Sequence, residues 1–340
     1  MNLTAAICLL TAILICLPLT SRAEEVIINA VGDVMLAGKW ATTIRKGGYD
    51  LPFQRVTANL STGDITFANL ESPIALGGSE FTDKQFHFRA EPELAAALKR
   101  SGIHLVTLAN NHTMDYGGQA LAETMDNLKN AGIAWIGAGQ NLAEARNMAI
   151  YNIKDKKIAF LAYSLTRPEG FFAGRNRSGT APGFEKFFVA DIRQARREAD
   201  YVIVSFHWGT EGSSEIQPKQ RMVAHKAIDA GADVIIGHHP HVLRGIERYK
   251  NGIVFYSLGN FIFASNGRSA EDGVIVRLRF DTGTREAELL PLDILNSRVG
   301  FQPRPASALQ ATRIVEHLNI LSSPLKTAIQ TRDGRYVVPF

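Results

Sequence analysis

Cysteine is almost missing from this sequence. The 340 residues hold two, Cys8 and Cys16, both close to the N-terminus. The rest of the chain has no thiol, which excludes disulfide staples and thiolate metal ligands there and leaves stability to a hydrophobic core. A hydrophobic share of 46% over this length is ample for one. Long apolar runs are absent beyond Leu19, so no membrane-spanning helix is expected after it. Charge is nearly balanced, with 37 Lys and Arg against 33 Asp and Glu. That small, dispersed surplus suits anionic substrates or surfaces but does not support nucleic acid as a partner. Neither a Gly-x-Ser-x-Gly elbow nor a Gly-Lys-Ser/Thr phosphate loop occurs, which argues against a serine hydrolase and a P-loop NTPase.

The one long apolar run lies at the start, from Leu3 to Leu19, and leads into Ser21-Arg22-Ala23. This is the layout of a secretory signal peptide over residues 1–23, with cleavage expected after Ala23. A secreted, periplasmic or otherwise extracytoplasmic protein follows, with retention of the leader as a membrane anchor as the alternative. Ile15 before Cys16 stands where a lipoprotein signal has a small residue.

Downstream, β-branched runs alternate with amphipathic segments, the pattern of βα units around a parallel sheet. Strands are expected at Val26–Val31, Ile65–Leu70, Leu105–Ala109, Ala134–Gly137, Tyr201–Phe206 and Val234–Ile236. Helices are expected at Glu91–Arg100, Gly118–Ala131, Ala190–Ala199 and Lys219–Ala230. Gly102, Gly132 and Gly231 stand where a left-handed residue would close three of them. Hairpins are expected around Lys154-Asp155-Lys156, Lys250-Asn251-Gly252 and Asp281-Thr282-Gly283, so the sheets are mixed. Leu165–Gly183 reads as a long loop. One main domain, 24–297, is followed by 298–340, a helical appendage packed on it, whose helix is expected at Ala306–Leu321 with little pattern after it.

Polar residues of metal-binding type gather at the strand ends. Asp33 follows the first strand, Asn69 and Glu71 close the second, and Asn110-Asn111-His112 follow the third. His207 and then His238-His239-Pro240-His241 follow two later strands. Ligands of open α/β sheets bind at that edge. Singly, most of these residues read as turn, cap or structural positions, and Asn110 is read that way. Three histidines in four residues, in a chain with nine, are harder to explain as packing. Carboxylate, imidazole and amide oxygen together suit divalent Mn, Zn or Fe, one ion or two. Glu211 is a candidate to orient an imidazole, or else a solvated loop acid. Asn260 repeats the strand-end pattern, and Arg89, Arg175 and Arg177 are candidate anion binders.

At these motifs the chain resembles the CapA family of poly-γ-glutamate capsule synthesis proteins, a branch of the calcineurin-like metallophosphoesterases. The matching stretches are Gly32-Asp33-Val34-Met35, Ala68-Asn69-Leu70-Glu71, Leu108-Ala109-Asn110-Asn111-His112, His207-Trp208-Gly209, Gly237-His238-His239-Pro240-His241 and Ser257-Leu258-Gly259-Asn260-Phe261. The resemblance implies a four-layer α/β/β/α sandwich of two mixed sheets. It implies metal ligands at Asp33, Glu71, Asn111, His207, His239 and His241, and a catalytic acid at His112. Asn69, Asn260 and Arg89 are read from their own positions as substrate-binding candidates. His238 occupies the permissive position of its motif and stays outside the ligand set. The implied role is synthesis or export of an anionic polymer such as poly-γ-glutamate, beside membrane-bound synthesis or export proteins, with cleavage of a phosphoester or amide. The alternative is a non-catalytic module that binds polyanion or scaffolds an export complex. Two departures bear on that choice: Met35 stands where metallophosphoesterases carry the histidine of Asp-x-His, and Glu71 stands for the usual bridging Asp.

Overall fold

The structure is a computed structural model that describes residues 24–264, 271–281 and 283–340. The leader expected at 1–23 lies outside those residues. Two large sheets pack face to face. The first runs in the order Gln330–Arg332, Arg335–Pro339, Thr284–Asp293, Asp272–Asp281, Val26–Val34, Ile65–Leu70, Leu105–Thr107 and Ala134–Ile136. Its half from Val26–Val34 onward is parallel and its other half antiparallel. The second runs Ile246–Tyr249, Gly252–Phe255, Val234–His238, Tyr201–His207, Lys156–Ser164 and Ala149–Ile153, parallel at the centre and antiparallel at both edges.

Three hydrophobic layers hold these parts together. Val26, Ile28, Phe67, Phe160, Ile203 and Ile236 pack between the sheets. Leu94 and Leu98 of helix Glu93–Arg100, with Leu121 and Leu128 of helix Gly117–Ala131, cover the outer face of the first sheet. Phe188 and Ile192 of helix Glu185–Glu198, with Val223 and Ala224 of helix Pro218–Ala230, cover the second. The result is the expected four-layer α/β/β/α sandwich. Parallel strands buried on both faces need near-continuous apolar sequence, and Ile65–Leu70 is buried at every position.

The strand Val26–Val34 is irregular near its C-terminal end. Val26, Ile28 and Ala30 face the inter-sheet core, whereas Val31 and Val34 both face the helices. Alternation is therefore broken between them, where the pairing with Ile65–Leu70 shifts register between Ala30 and Asp33. Gly32 sits in this irregularity because a Cβ there would lie 2.1 Å from the Gly259 carbonyl oxygen. That close approach lets the Asp33 amide donate to the same oxygen at 3.0 Å.

The C-terminal segment is more ordered than its pattern suggests. Helix Ala308–Ser322, opened by a Ser307–Gln310 capping box, inserts Ile314, Val315 and Leu318 into the inter-sheet core. Beyond it, Arg335–Pro339 pairs with Thr284–Asp293, an order set by backbone pairing and not by side-chain alternation. The stretch 165–183 likewise folds back: Phe171 is buried, and Gly179–Thr180 pairs with Ala138–Gly139. Among the described residues no helix is long and apolar enough to cross a membrane.

A buried carboxylate ties the second sheet to its helix. Glu247 accepts hydrogen bonds from Tyr256 Oη at 2.6 Å and Arg221 Nη2 at 2.7 Å, and its Oε2 lies 3.1 Å from His225 Nε2. Burial alone would push this carboxyl up, but bonds from Tyr256, Arg221 and His225 outweigh it and leave it below the usual range. A depressed folded value means stabilisation present above the unfolded value of about 4.3 and lost as pH falls through the folded one. Glu247→Gln is therefore expected to lower unfolding stability by about 1–3 kcal/mol at neutral pH. The gap to wild type should close toward pH ~3 in urea titrations, and a gap constant across that range would contradict the assignment.

Candidate metal centre

The C-terminal ends of parallel strands from both sheets meet at one edge, and that meeting assembles the site. Asp33 lies opposite Asn69 and Asn260 in the first sheet. Glu71 comes just after Ile65–Leu70, and Asn110, Asn111 and His112 come after Leu105–Thr107. His207 ends its strand in register with His238 in the second sheet. The turn that follows carries His239 and His241 with positive φ, 95° and 58°. Non-glycine residues hold such angles at a cost of about 1–3 kcal/mol each, and that strain concentrates at functional sites.

The side chains converge closely. Asp33 Oδ1 lies 3.0 Å from His238 Nδ1, and Oδ2 lies 3.1 Å from His241 Nδ1. His207 Nε2 is 2.7 Å from Asn111 Oδ1 and 3.5 Å from Glu71 Oε1, which is itself 3.7 Å from His241 Nε2. Two trios share Glu71: Glu71 with His207 and His239, and Asp33 with Glu71 and His241, each offering ligand atoms within 4.8 Å of one another. All six residues expected as ligands are thus brought together, with Asn111 joined to the first trio through His207.

Burial makes this cluster electrostatically demanding. Asp33 and Glu71 are fully buried. Burial pushes Asp33 up, but hydrogen bonds and charge from His238 and His241 outweigh it and hold Asp33 well below the carboxylate range. Glu71 is driven well above that range by burial and then by the Asp33 charge. Burial and neighbouring His239 push His207 far down, and burial with His241 takes His239 to about 3. Burial also opposes charge on His241, yet Glu71 and Asp33 raise it to about 9. His207 and His239 are therefore neutral at pH 7, with imidazole lone pairs free to coordinate. Glu71 Oε1 and His239 Nδ1 are buried without a hydrogen-bond partner. Buried polar atoms are normally satisfied, and a divalent cation is the partner that two carboxylates, an amide oxygen and neutral imidazoles fit.

His112 stands beside the cluster with support that sequence reading missed. Its Nδ1 is 2.7 Å from Asp115 Oδ2, and Asp115 is fully buried. Lys84 Nζ donates to Asp115 Oδ1 and to the Asn111 carbonyl, each at 2.6 Å. Burial lowers His112 against the pull of Asp115. Asp115 was detectable in principle, three residues after His112 on a tight turn, whereas Lys84 arrives from a distant loop and left no signal. A cleft of about 400 Å³ opens over the site, lined by Met35, Lys39, Phe88, His112, Glu211 and His241 among others.

Some expected roles need correction. Asn69, expected to bind substrate, is fully buried and spends its amide on Asp33 Oδ1 at 2.8 Å and Glu71 Oε2 at 3.1 Å. Asn260, expected likewise, is buried with its Oδ1 2.9 Å from His241 Nδ1, so both asparagines orient candidate ligands. Arg89 is not brought to the cleft: it stacks on Tyr116 and donates to the Gly77 carbonyl, bordering a separate cavity with Leu36 and Leu94. Arg177 is occupied with the Phe172 carbonyl. Asn110 acts as the local cap it was read to be, its Oδ1 accepting from the His112 and Thr113 amides. His238 stays outside both trios and orients Asp33.

Residues 27–265 match the family described as bacterial capsule synthesis protein PGA_cap. The chain belongs to this family. The match spans every residue of the cluster and stops short of the C-terminal helix. Among PGA_cap relatives, the capsule biosynthesis protein CapA of Bacillus anthracis is 32% identical over 304 residues, 87% of this chain and 73% of that protein. The PGA biosynthesis protein CapA of Bacillus subtilis is 34% identical over 267 residues, 78% of this chain and 70% of that protein. In fold, the chain is similar to the NAD nucleotidase of Haemophilus influenzae, with a TM-score of 0.51 at 13% identity over 89% of this chain and 57% of that one. That likeness agrees with the four-layer α/β/β/α sandwich.

Elemental analysis tests the centre directly. Protein stripped by chelator and reloaded with Mn²⁺ or Zn²⁺ is expected to retain at least about one equivalent, and His239→Ala to lose most of it. Less than about half an equivalent in the wild type would remove the metal reading.

Proposed function

We propose that this PGA_cap protein is an extracytoplasmic, metal-dependent hydrolase that serves synthesis or export of an anionic polymer such as poly-γ-glutamate, cutting a phosphoester or amide. The observation that carries this reading is the junction of a buried carboxylate–imidazole cluster with a supported histidine, His112, in one cleft. The relatives' names, capsule and PGA biosynthesis, support the polymer. The apolar leader with its Ser21-Arg22-Ala23 end supports an extracytoplasmic location, cleaved or anchored, beside membrane-bound synthesis or export proteins.

Bound divalent ions, one or two of Mn, Zn or Fe, would polarise a phosphoryl or acyl oxygen and acidify water. The chain supplies the rest. Asp33, Glu71, Asn111, His207, His239 and His241 would hold the ions, while Asn69, Asn260 and His238 fix the orientation of these side chains. The Asp115 carboxylate accepts the Nδ1–H of His112 and stabilises its imidazolium. Nε2–H is then the proton delivered to the leaving oxygen or nitrogen. Lys84 keeps Asp115 and the Asn111 backbone in place. Phe88, 4.6 Å from the His112 ring, shields it from bulk water.

One observation favours a second reading. Met35 is buried, and its sulfur accepts from the Ala37 amide at 3.3 Å, so the Asp33 side lacks the histidine of a two-ion site. A one-ion module that binds polyanion or tethers export partners fits that feature.

The two readings separate on His112. In the enzyme, His112→Ala keeps its metal and loses about 10²–10⁴-fold in rate on alkyl phosphoesters, whose leaving oxygen needs a proton. The loss on a p-nitrophenyl ester should be much smaller, because that leaving group departs as the anion. Equal losses on both substrates would deny His112 the acid role, and no metal-dependent turnover by wild type would favour the binding module.

A further inference from the structure

Glu211 is four residues past His207, on a loop that lines the same cleft as Met35. Its Oε1 lies 4.0 Å from His239 Nδ1. That gap is too long for a hydrogen bond, so Glu211 does not orient the imidazole directly. Two ligands that each sit about 2.0–2.2 Å from a shared ion lie about 3.3–3.6 Å apart in a tetrahedral shell, a separation that a small rotation of this exposed side chain would reach. His239 is 8% exposed, and its Nδ1 is buried with no hydrogen-bond partner. Glu211, His239 and His241 offer ligand atoms within 4.8 Å of one another. The two histidines belong to different trios, so Glu211 faces both halves of the cluster.

The loop is held for this purpose by an unusual anchor. Arg244 is 1% exposed and, among the described residues, forms no ion pair. Its Nη2 donates to the Thr210 carbonyl at 3.0 Å and its Nε to the Ser213 carbonyl at 2.8 Å, on either side of Glu211. The Gly212 amide donates to the Pro240 carbonyl at 2.8 Å, tying the loop to the turn between His239 and His241. Burying a guanidinium is costly; two of its three hydrogen-bond acceptors here are the carbonyls that flank Glu211, and the third is Gln220 Oε1 at 2.9 Å.

The ligand count gives that acid a task. Glu71, Asn111, His207 and His239 make four donors on one side, whereas Asp33, Glu71 and His241 make three on the other, beside a thioether that coordinates hard divalent ions poorly. We propose that Glu211 is a metal ligand that replaces the donor missing at Met35, so that the centre holds two divalent ions. This rests on the metal-site reading above.

The test counts ions instead of turnover. Chelator-stripped full-length protein is titrated with Mn²⁺ and the bound metal measured after gel filtration, for wild type, His239→Ala, Glu211→Ala and the double variant Met35→His/Glu211→Ala. Glu211 is largely exposed, so unchanged thermal melting confirms that its variant is folded. The expected result is about two equivalents in wild type, about one in Glu211→Ala, and recovery toward two in the double variant. Undiminished Mn²⁺ in Glu211→Ala, with His239→Ala depleted, overturns this inference and leaves the metal centre intact. A Glu211→Ala loss that Met35→His does not restore overturns the replacement. No Mn²⁺ in wild type overturns both readings.

Discussion

Two carboxylates, Asp33 and Glu71, are buried completely and set against the same histidine, His241. Isolated buried charge of this kind is expensive, and much of the surrounding architecture answers that cost. Imidazoles of His238 and His241 flank Asp33, and the Asn69 amide spans both acids. The divergence of the two acids, one held far below the carboxylate range and the other far above, marks a site whose negative charge is incompletely matched by protein. A divalent cation bound there would resolve the mismatch, because it would let both carboxylates ionise beside neutral imidazole donors.

The fold supplies the rigidity this needs. Each sheet brings its parallel strand ends to the shared edge, and three apolar layers fix the sheets relative to one another. Side chains that approach from both sheets cannot relax apart without unpacking the inter-sheet layer. Local irregularities then aim the candidate ligands: the bulge around Gly32 turns Asp33, and positive φ at His239 and His241 presents both rings from a three-residue turn. The same stiffness positions His112, whose Asp115 and Lys84 partners are held by the loop between Asn110 and Tyr116 and by the segment before Phe88.

Much of this was legible in sequence where chemistry and periodicity coincide. The strand Ile65–Leu70 was bounded correctly because a parallel strand buried on both faces is a short apolar run between polar stops. Gly132 closes its helix in the left-handed conformation, as its place after the last periodic residue implied. The dense histidine motif 238–241 announced itself by composition. Asn69 and Asn260 stood out by motif, but a motif does not say that both side chains are buried against candidate ligands. Arg89 shows the same limit: its charge was visible, and its stacking on Tyr116 was not.

The sequence by itself determined the layered α/β class and the family, and it drew attention to the acids, amides and histidines at the strand ends, since these depend on local pattern and residue chemistry. Only the tertiary structure decided which of them come within reach of one another, that Lys84 and Asp115 stand behind His112, and that Arg244 braces the loop of Glu211. Those relations join segments up to about two hundred residues apart, as Asp33 and His238 are. Such pairings follow from how two sheets dock, and docking is set by the summed packing of the core rather than by any stretch of sequence that could be read alone.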